Sequence, residues 1–249
     1  HIDSFTMSRT AVLGVVFIAM ILGAQAASLS LVSKKFTPAA NKQIQPDLDL
    51  CPTCVSFISS AINDMLQILL NVGVIGSCGD LCGLLPNQIE ATLCDLLCDY
   101  VGINVFLDLI QDADPDPIWI CEEIGVCTAN PNAAASVTNY VVSPDHGKRK
   151  DTFNFDVTYL VTNEIGTGEV ALALIDPEGM GLGDGVVVDS QQPGSYSMQF
   201  QLQANPSESE SFPNGVYMTQ IAICEGTCGS IHSNSFTLAV ADANFTIRG

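Results

Sequence analysis

The run Cys51-Pro52-Thr53-Cys54-Val55-Ser56-Phe57-Ile58-Ser59-Ser60-Ala61-Ile62-Asn63-Asp64-Met65-Leu66-Gln67-Ile68-Leu69-Leu70-Asn71-Val72 sets the fold class of the first half of this chain. Cys54, Ile58, Ala61, Met65, Ile68 and Val72 recur at steps of three and four, and Val55, Ile62, Leu66 and Leu69 form a second apolar stripe beside them. The spacing predicts a helix that is apolar over most of its girth, ended by Gly73 and Gly76. Downstream, a short helix carries Cys78 and Cys82, Pro86 interrupts the chain, and a longer helix runs from about Gln88 to Gln111 with Leu93, Leu97, Val101, Val105 and Leu109 among its apolar positions. Asp116 followed by Pro117 reads as an N-cap and first-turn pair opening a last helix through Trp119. So small a bundle cannot bury all this apolar surface, which implies an external apolar partner.

The small-residue stretch from Thr128 to Ala135 separates this helical pattern from one of period two. Phe153, Phe155, Val157, Tyr159 and Val161 alternate with polar neighbours, as do Tyr196, Met198, Phe200 and Leu202. With Val137–Val142, Val170–Ile175, Val186–Val188, Val216–Ile223 and Phe236–Val240, about seven strands follow, an immunoglobulin- or fibronectin-like antiparallel sandwich. At the other end, Arg9, the apolar run Ala11–Gly23 and Ala24-Gln25-Ala26 after Met7 read as a signal peptide. The run is too short for a spanning helix, which needs about 20 residues, so a membrane anchor is the weaker reading. The expected division is therefore a leader at 1–26, an extension at 27–47, a helical domain at 48–129 and a sandwich at 130–249.

Ten cysteines behind a signal peptide imply an oxidising compartment and disulfides; a half zinc site or redox motif at Cys51-x-x-Cys54 has no supporting context. The spacing Cys51-x2-Cys54, 27 residues to Cys82, 11 to Cys94, 26 to Cys121 and five to Cys127 resembles the saposin B-type family, as does Cys82-Gly83-Leu84-Leu85-Pro86 leading to Cys94. That resemblance implies a saposin-like bundle of four to five helices with Cys51 bonded to Cys127, Cys54 to Cys121 and Cys82 to Cys94. Cys78 and Cys98 depart from the family. Each lies four residues, about one turn of ~6 Å, outside the Cys82 to Cys94 bridge, so a second rung is expected between them. Cys224 and Cys228 read as a local hairpin disulfide between two strands.

The formal charge is −19, and between Cys51 and Cys127 there are eleven carboxylates with no Lys, Arg or His. Such a surface repels phosphate, which excludes nucleic acid as a partner. A solvated face is the simplest account of the charge. A pH-dependent membrane switch is the sharper one, since carboxyls with ordinary pKa values of about 4 lose charge in an acidic compartment. Asp112-Ala113-Asp114-Pro115-Asp116, and Asp176, Glu178 and Asp184 among glycines, are readable as calcium loops but are explained more simply by caps and turns. His146-Gly147-Lys148-Arg149-Lys150 reads as a solvated basic loop, with processing or partner docking as the alternative, and Asn244-Phe245-Thr246 is a glycosylation sequon.

No nucleophile elbow, zinc-hydrolase, phosphate-loop or dinucleotide motif is present, so no catalytic residue, metal or cofactor is expected and the chain does not read as an enzyme. A saposin-like domain joined to a β-rich domain of about 120 residues behind a signal peptide resembles the countin family of social amoebae. That resemblance implies a secreted protein of a complex that controls group size. The partners expected are a lipid or membrane surface, a secreted protein complex and a second copy of the chain. Val55, Ile62, Leu66, Leu69, Val101, Val105, Phe106 and Trp119 are the candidate lipid contacts by periodicity. Two other readings stay open, an amoebapore-like membrane-permeabilising protein and a lysosomal sphingolipid activator. The absence of basic charge and histidine in the helical half weakens the first.

Overall fold

The computed structural model describes residues 50–73, 75–112, 116–207 and 211–249, so the expected leader and extension lie outside the described residues. Five helices come first: α1 (Leu50–Val72), α2 (Cys78–Cys82), α3 (Gln88–Val101), α4 (Ile103–Ile110) and α5 (Pro117–Ile124). Ser77, Asn87 and Asp116 cap α2, α3 and α5, each side chain accepting a backbone N–H of the first turn. Cys51–Cys127 and Cys54–Cys121 tie the start of α1 to α5 and the residues after it. Cys78–Cys98 and Cys82–Cys94 make two rungs between α2 and α3, with Cα separations of 5.7 and 5.5 Å. Ile58, Met65, Leu81, Phe106, Ile110 and Ile120 fill the space between these bridges.

The single helix expected over 88–111 is two. Gly102 adopts φ +86°, a conformation that glycine reaches without a Cβ clash, and its N–H donates to Cys98 O at 2.7 Å. The break redirects α4, and Phe106, Leu109 and Ile110 are buried in the bundle core.

The second unit holds eight strands: β1 (Ala134–Ser143), β2 (His146–Gly147), β3 (Thr152–Asn163), β4 (Ile165–Ile175), β5 (Gly181–Gln191), β6 (Gly194–Gln203), β7 (Gly215–Glu225) and β8 (Phe236–Ile247). One sheet has the order β1-β3-β6 and the other β2-β8-β7-β4-β5; β2 pairs with β8 in parallel and the other pairs are antiparallel. Phe153, Phe155, Val157, Tyr159 and Val161 of β3 share one core with Leu172 of β4, Tyr217 and Ile221 of β7 and Phe245 of β8. Phe153 and Tyr217 rings lie 4.3 and 4.9 Å from that of Phe245. Residues Gly181–Gly185, read from sequence as turn, are instead the first half of β5. A Cβ at Gly185 would collide with the Glu169 side chain on β4, so glycine there is strand packing.

Near the start of β7, the fully buried Tyr217 donates its hydroxyl hydrogen to Pro213 O, four residues upstream, at 2.9 Å. This closes the loop leading into the strand against the core. Tyr217→Phe deletes one buried hydrogen bond and is expected to cost the sandwich about 1–2 kcal/mol, read as a lower denaturation midpoint with unchanged secondary structure. An unchanged midpoint would show that the bond does not hold the corner.

Candidate functional site

Two surfaces of the helical unit stand apart from its core. The first is apolar and open. On α3, Ile89, Leu96 and Tyr100 recur at seven and four residues and are 72, 55 and 70 % exposed. Leu70 and Val72 at the end of α1, Leu84 after α2 and Val105 on α4 are also exposed. Several exposed large apolar side chains on one small bundle are more than scattered surface residues need. A shallow cleft of about 430 Å³ between α1 and α3, lined by Pro52, Phe57, Ile89, Glu90 and Leu93 among others, opens beside Ile89.

The lipid-contact residues expected by periodicity are placed differently. Val55, Ile62 and Phe106 are buried in the core; Leu66, Leu69 and Val101 are half-buried against it; only Val105 faces solvent. The cause is twofold: α1 packs its second stripe inward as well as its first, and the break at Gly102 rotates Phe106 inside. Trp119 is taken up by the second surface. Its indole stacks on the His232 ring of the sandwich at 3.9 Å, the planes 4° apart.

That second surface is the junction between the units. Thr128 O accepts from Thr167 N at 2.6 Å and Thr128 N donates to Thr167 Oγ1, while Cys51 Sγ lies 3.3 Å from the same oxygen. The Thr167 hydroxyl in turn donates to Asp189 Oδ1. Asn130 N and Gly166 N donate to the two oxygens of Glu225, at 2.5 and 3.0 Å, and Glu225 is completely buried. Gly166 is where the linker passes closest: a Cβ there would stand 2.6 Å from Glu225 Oε1 and collide with Thr128 O.

On α5, Asp116 Oδ1 accepts from Ile118 N and Trp119 N as the helix cap and from Thr227 Oγ1 of the β7–β8 loop at 2.6 Å. Glu122 Oε2 accepts from Asn234 Nδ2 at 3.3 Å. Asp116 Oδ2 and Glu122 Oε1 are buried without a hydrogen-bond partner. Burial, aided by the charges of Glu225, Asp116 and Glu123, pushes Glu122 up to about 7 against the opposing bond from Asn234. Burial also raises Glu169, which accepts the Cys228 N–H, and Glu225.

The Cys224–Cys228 disulfide closes the start of this loop. None of Thr167, Glu225, Glu122 and His232 was marked by the sequence, because their partners lie 22 to 116 residues away and no motif announces them.

Among the described residues no group of three His, Cys, Asp or Glu side chains is placed to hold a metal. Asp176 instead closes a turn through Glu178 N and Met180 N. Part of the Asp112–Asp116 cluster, Ala113 to Pro115, lies outside the described residues. Of the basic stretch expected as loop, His146 and Gly147 are instead strand β2, held by pairing with Thr246 and Ile247, and Arg149 Nε donates to Phe212 O. Asn244 of the sequon is exposed on β8, next to the buried Phe245.

A disulfide-linked helical unit clamped to a two-sheet β-sandwich defines the class of this protein. The chain belongs to the countin family: residues 49–125 match the countin N-terminal domain and residues 135–249 the countin C-terminal domain. Countin-1 of Dictyostelium discoideum is 52 % identical over 84 % of this chain and 81 % of its own, and Countin-2 of the same organism is 48 % identical over 80 % and 78 %. Likeness to solved structures is remote. The C-terminal domain of wzt covers 49 % of this chain and 81 % of that domain at 11 % identity, with a TM-score of 0.36, and carries no functional argument.

Proposed function

We propose that this chain is a secreted protein of extracellular cell-group-size signalling whose helical unit is a saposin B-type module that meets a lipid or membrane surface. The exposed stripe of Ile89, Leu96 and Tyr100 carries the reading. Disulfide rungs hold α2 and α3 as a rigid hairpin beneath it, and the sandwich docks against the other end of the unit through Cys51, Trp119 and Glu122, leaving the stripe free. The sandwich reads as immunoglobulin/fibronectin-like, supported by its three-plus-five sheet order and the Tyr217 corner at the start of β7, and is the part that meets protein partners. Exposure of Asn244 suits glycosylation in a secretory pathway. Eleven carboxylates in the helical unit favour neutral lipid, and protonation of these groups tightens membrane binding in acid.

Burying Leu96 and Tyr100 in lipid is worth roughly 1.5–3 kcal/mol per side chain. Leu96→Ser with Tyr100→Ser is therefore expected to weaken liposome binding at least about tenfold, while stability shifts by no more than about 0.5 kcal/mol at each exposed position. Equal binding by variant and wild type would remove the stripe from the lipid contact. Added to developing social amoebae, the purified protein is expected to change the number of cells per group; unchanged groups would contradict the signalling role.

A further inference from the structure

The contacts across the junction fall into two sets. One follows the linker: Cys51 and Thr128 are held by Thr167, and Asn130 by Glu225 and Glu164 O. The other joins α5 to the β7–β8 loop through Asp116–Thr227, Trp119–His232 and Glu122–Asn234. The second set holds two buried carboxyl oxygens bonded to nothing, Asp116 Oδ2 and Glu122 Oε1; Asp116 accepts three hydrogen bonds through its other oxygen, whereas Glu122 accepts one.

We propose that the α5 contact with the β7–β8 loop is a pH-controlled latch, closed in acid and released as pH rises, which swings the helical unit about the Thr128–Asn130 linker. The titratable groups facing Glu122 are Asp116 and Glu123 on α5 and Glu225 at the end of β7. His232 stands in the loop on Trp119, and Glu169 of β4 is near enough to feel the charges of Asp116 and of Asp184 on β5. All but His232 are acidic. The lysines and arginines of the described chain, Lys148, Arg149, Lys150 and Arg248, are on neither α5 nor the loop. An ionised Glu122 thus meets partial burial and like charge with one hydrogen bond in return; a protonated one meets neither penalty.

The sign follows from linkage. In the closed form the Glu122 carboxyl is raised from its ordinary 4.5 to about 7, and the part of that rise that comes from the sandwich, its share of the burial and the Glu225 charge, is lost on opening, so docking is strongest in acid, weakens as pH rises from about 4.5 and levels off above about pH 7. A rise due wholly to docking would correspond to about 300-fold in the closed-to-open ratio; Asp116 and Glu123 stay beside Glu122 in either form and solvent screens a half-buried carboxyl, which together bring the expected change down towards roughly tenfold.

Trp119 is the only tryptophan in the chain and sits inside the latch. With disulfides intact, its emission in the full protein is expected to show one transition between about pH 4.5 and pH 7, in step with a loss of amide protection, relative to the intrinsic exchange rate at each pH, across residues 226–235. Glu122→Gln is expected to abolish both changes and hold the closed signal throughout. His232→Phe, which keeps a ring but cannot titrate, is expected to keep both. A transition that survives Glu122→Gln, one that disappears in His232→Phe, or wild-type protection in the loop that stays constant with pH would each overturn the latch. These readouts need no lipid, so the latch and the lipid-binding reading fail separately.

Discussion

Replacing Cys51, Cys54, Cys121 and Cys127 together by alanine is expected to cost the helical unit about 7 kcal/mol, enough to unfold it at room temperature while the sandwich stays folded. The bridges close nested loops with sequence separations of 76 and 67. Either one alone closes a long loop, worth about 4.5 kcal/mol in the chain-entropy model. Once one is made, the second closes only the short ring between the two bridges, roughly ten residues, worth about 3 kcal/mol. Losing one bridge should therefore cost about 3 kcal/mol, and losing both more than twice that. Urea unfolding followed by far-ultraviolet circular dichroism of the double and quadruple variants checks this. Additive losses would contradict the nested-loop account, and a helical signal in the quadruple variant like that of the wild type would mean that the apolar core alone sustains the bundle.

Glu225→Ala is the second large effect. Glu225 is wholly enclosed and takes the N–H of Asn130 with one oxygen and that of Gly166 with the other. Alanine leaves two donors without an acceptor at about 1–3 kcal/mol each, so a loss of about 3–4 kcal/mol is expected, with faster amide exchange at Asn130 and Gly166. The Asn130 amide reports the linker itself and the Gly166 amide the β4 backbone beside it. If they stay protected and the unfolding midpoint is unchanged, Glu225 is not what fixes the linker to the sandwich.

Much of the secondary structure was legible because each half of the chain keeps one hydrophobic period. Phe153 to Val161 alternate on the page as they do in β3, and the apolar steps from Cys54 to Val72 follow α1. Gly102 was not read as a helix break, because apolar residues continue at helical spacing on both sides of it; only its positive φ marks the turn. The glycines of β5 suggested a turn because the Glu169 side chain that needs the space at Gly185 lies on another strand. Tyr217 reads as one more alternating core residue, and its bond to Pro213 O depends on a loop path that the pattern does not encode.

The exposed apolar stripe was legible in kind and not in place. Excess apolar residues were evident, but which of them face outward depends on how α3 and α4 turn about Gly102, and that moved the exposed set to Ile89, Leu96 and Tyr100. The junction was not legible at all. Its residues are ordinary in sequence and become unusual only when burial leaves Glu122 beside Asp116 and Glu225.

Flotation of the fully disulfide-bonded protein with dye-loaded neutral liposomes, at about pH 7 and about pH 4.5, asks directly whether the helical unit meets lipid. Co-flotation without dye release, stronger at the lower pH, is the expected result. Protein that remains unbound at both pH values would contradict it and leave the helical unit as a scaffold for the sandwich.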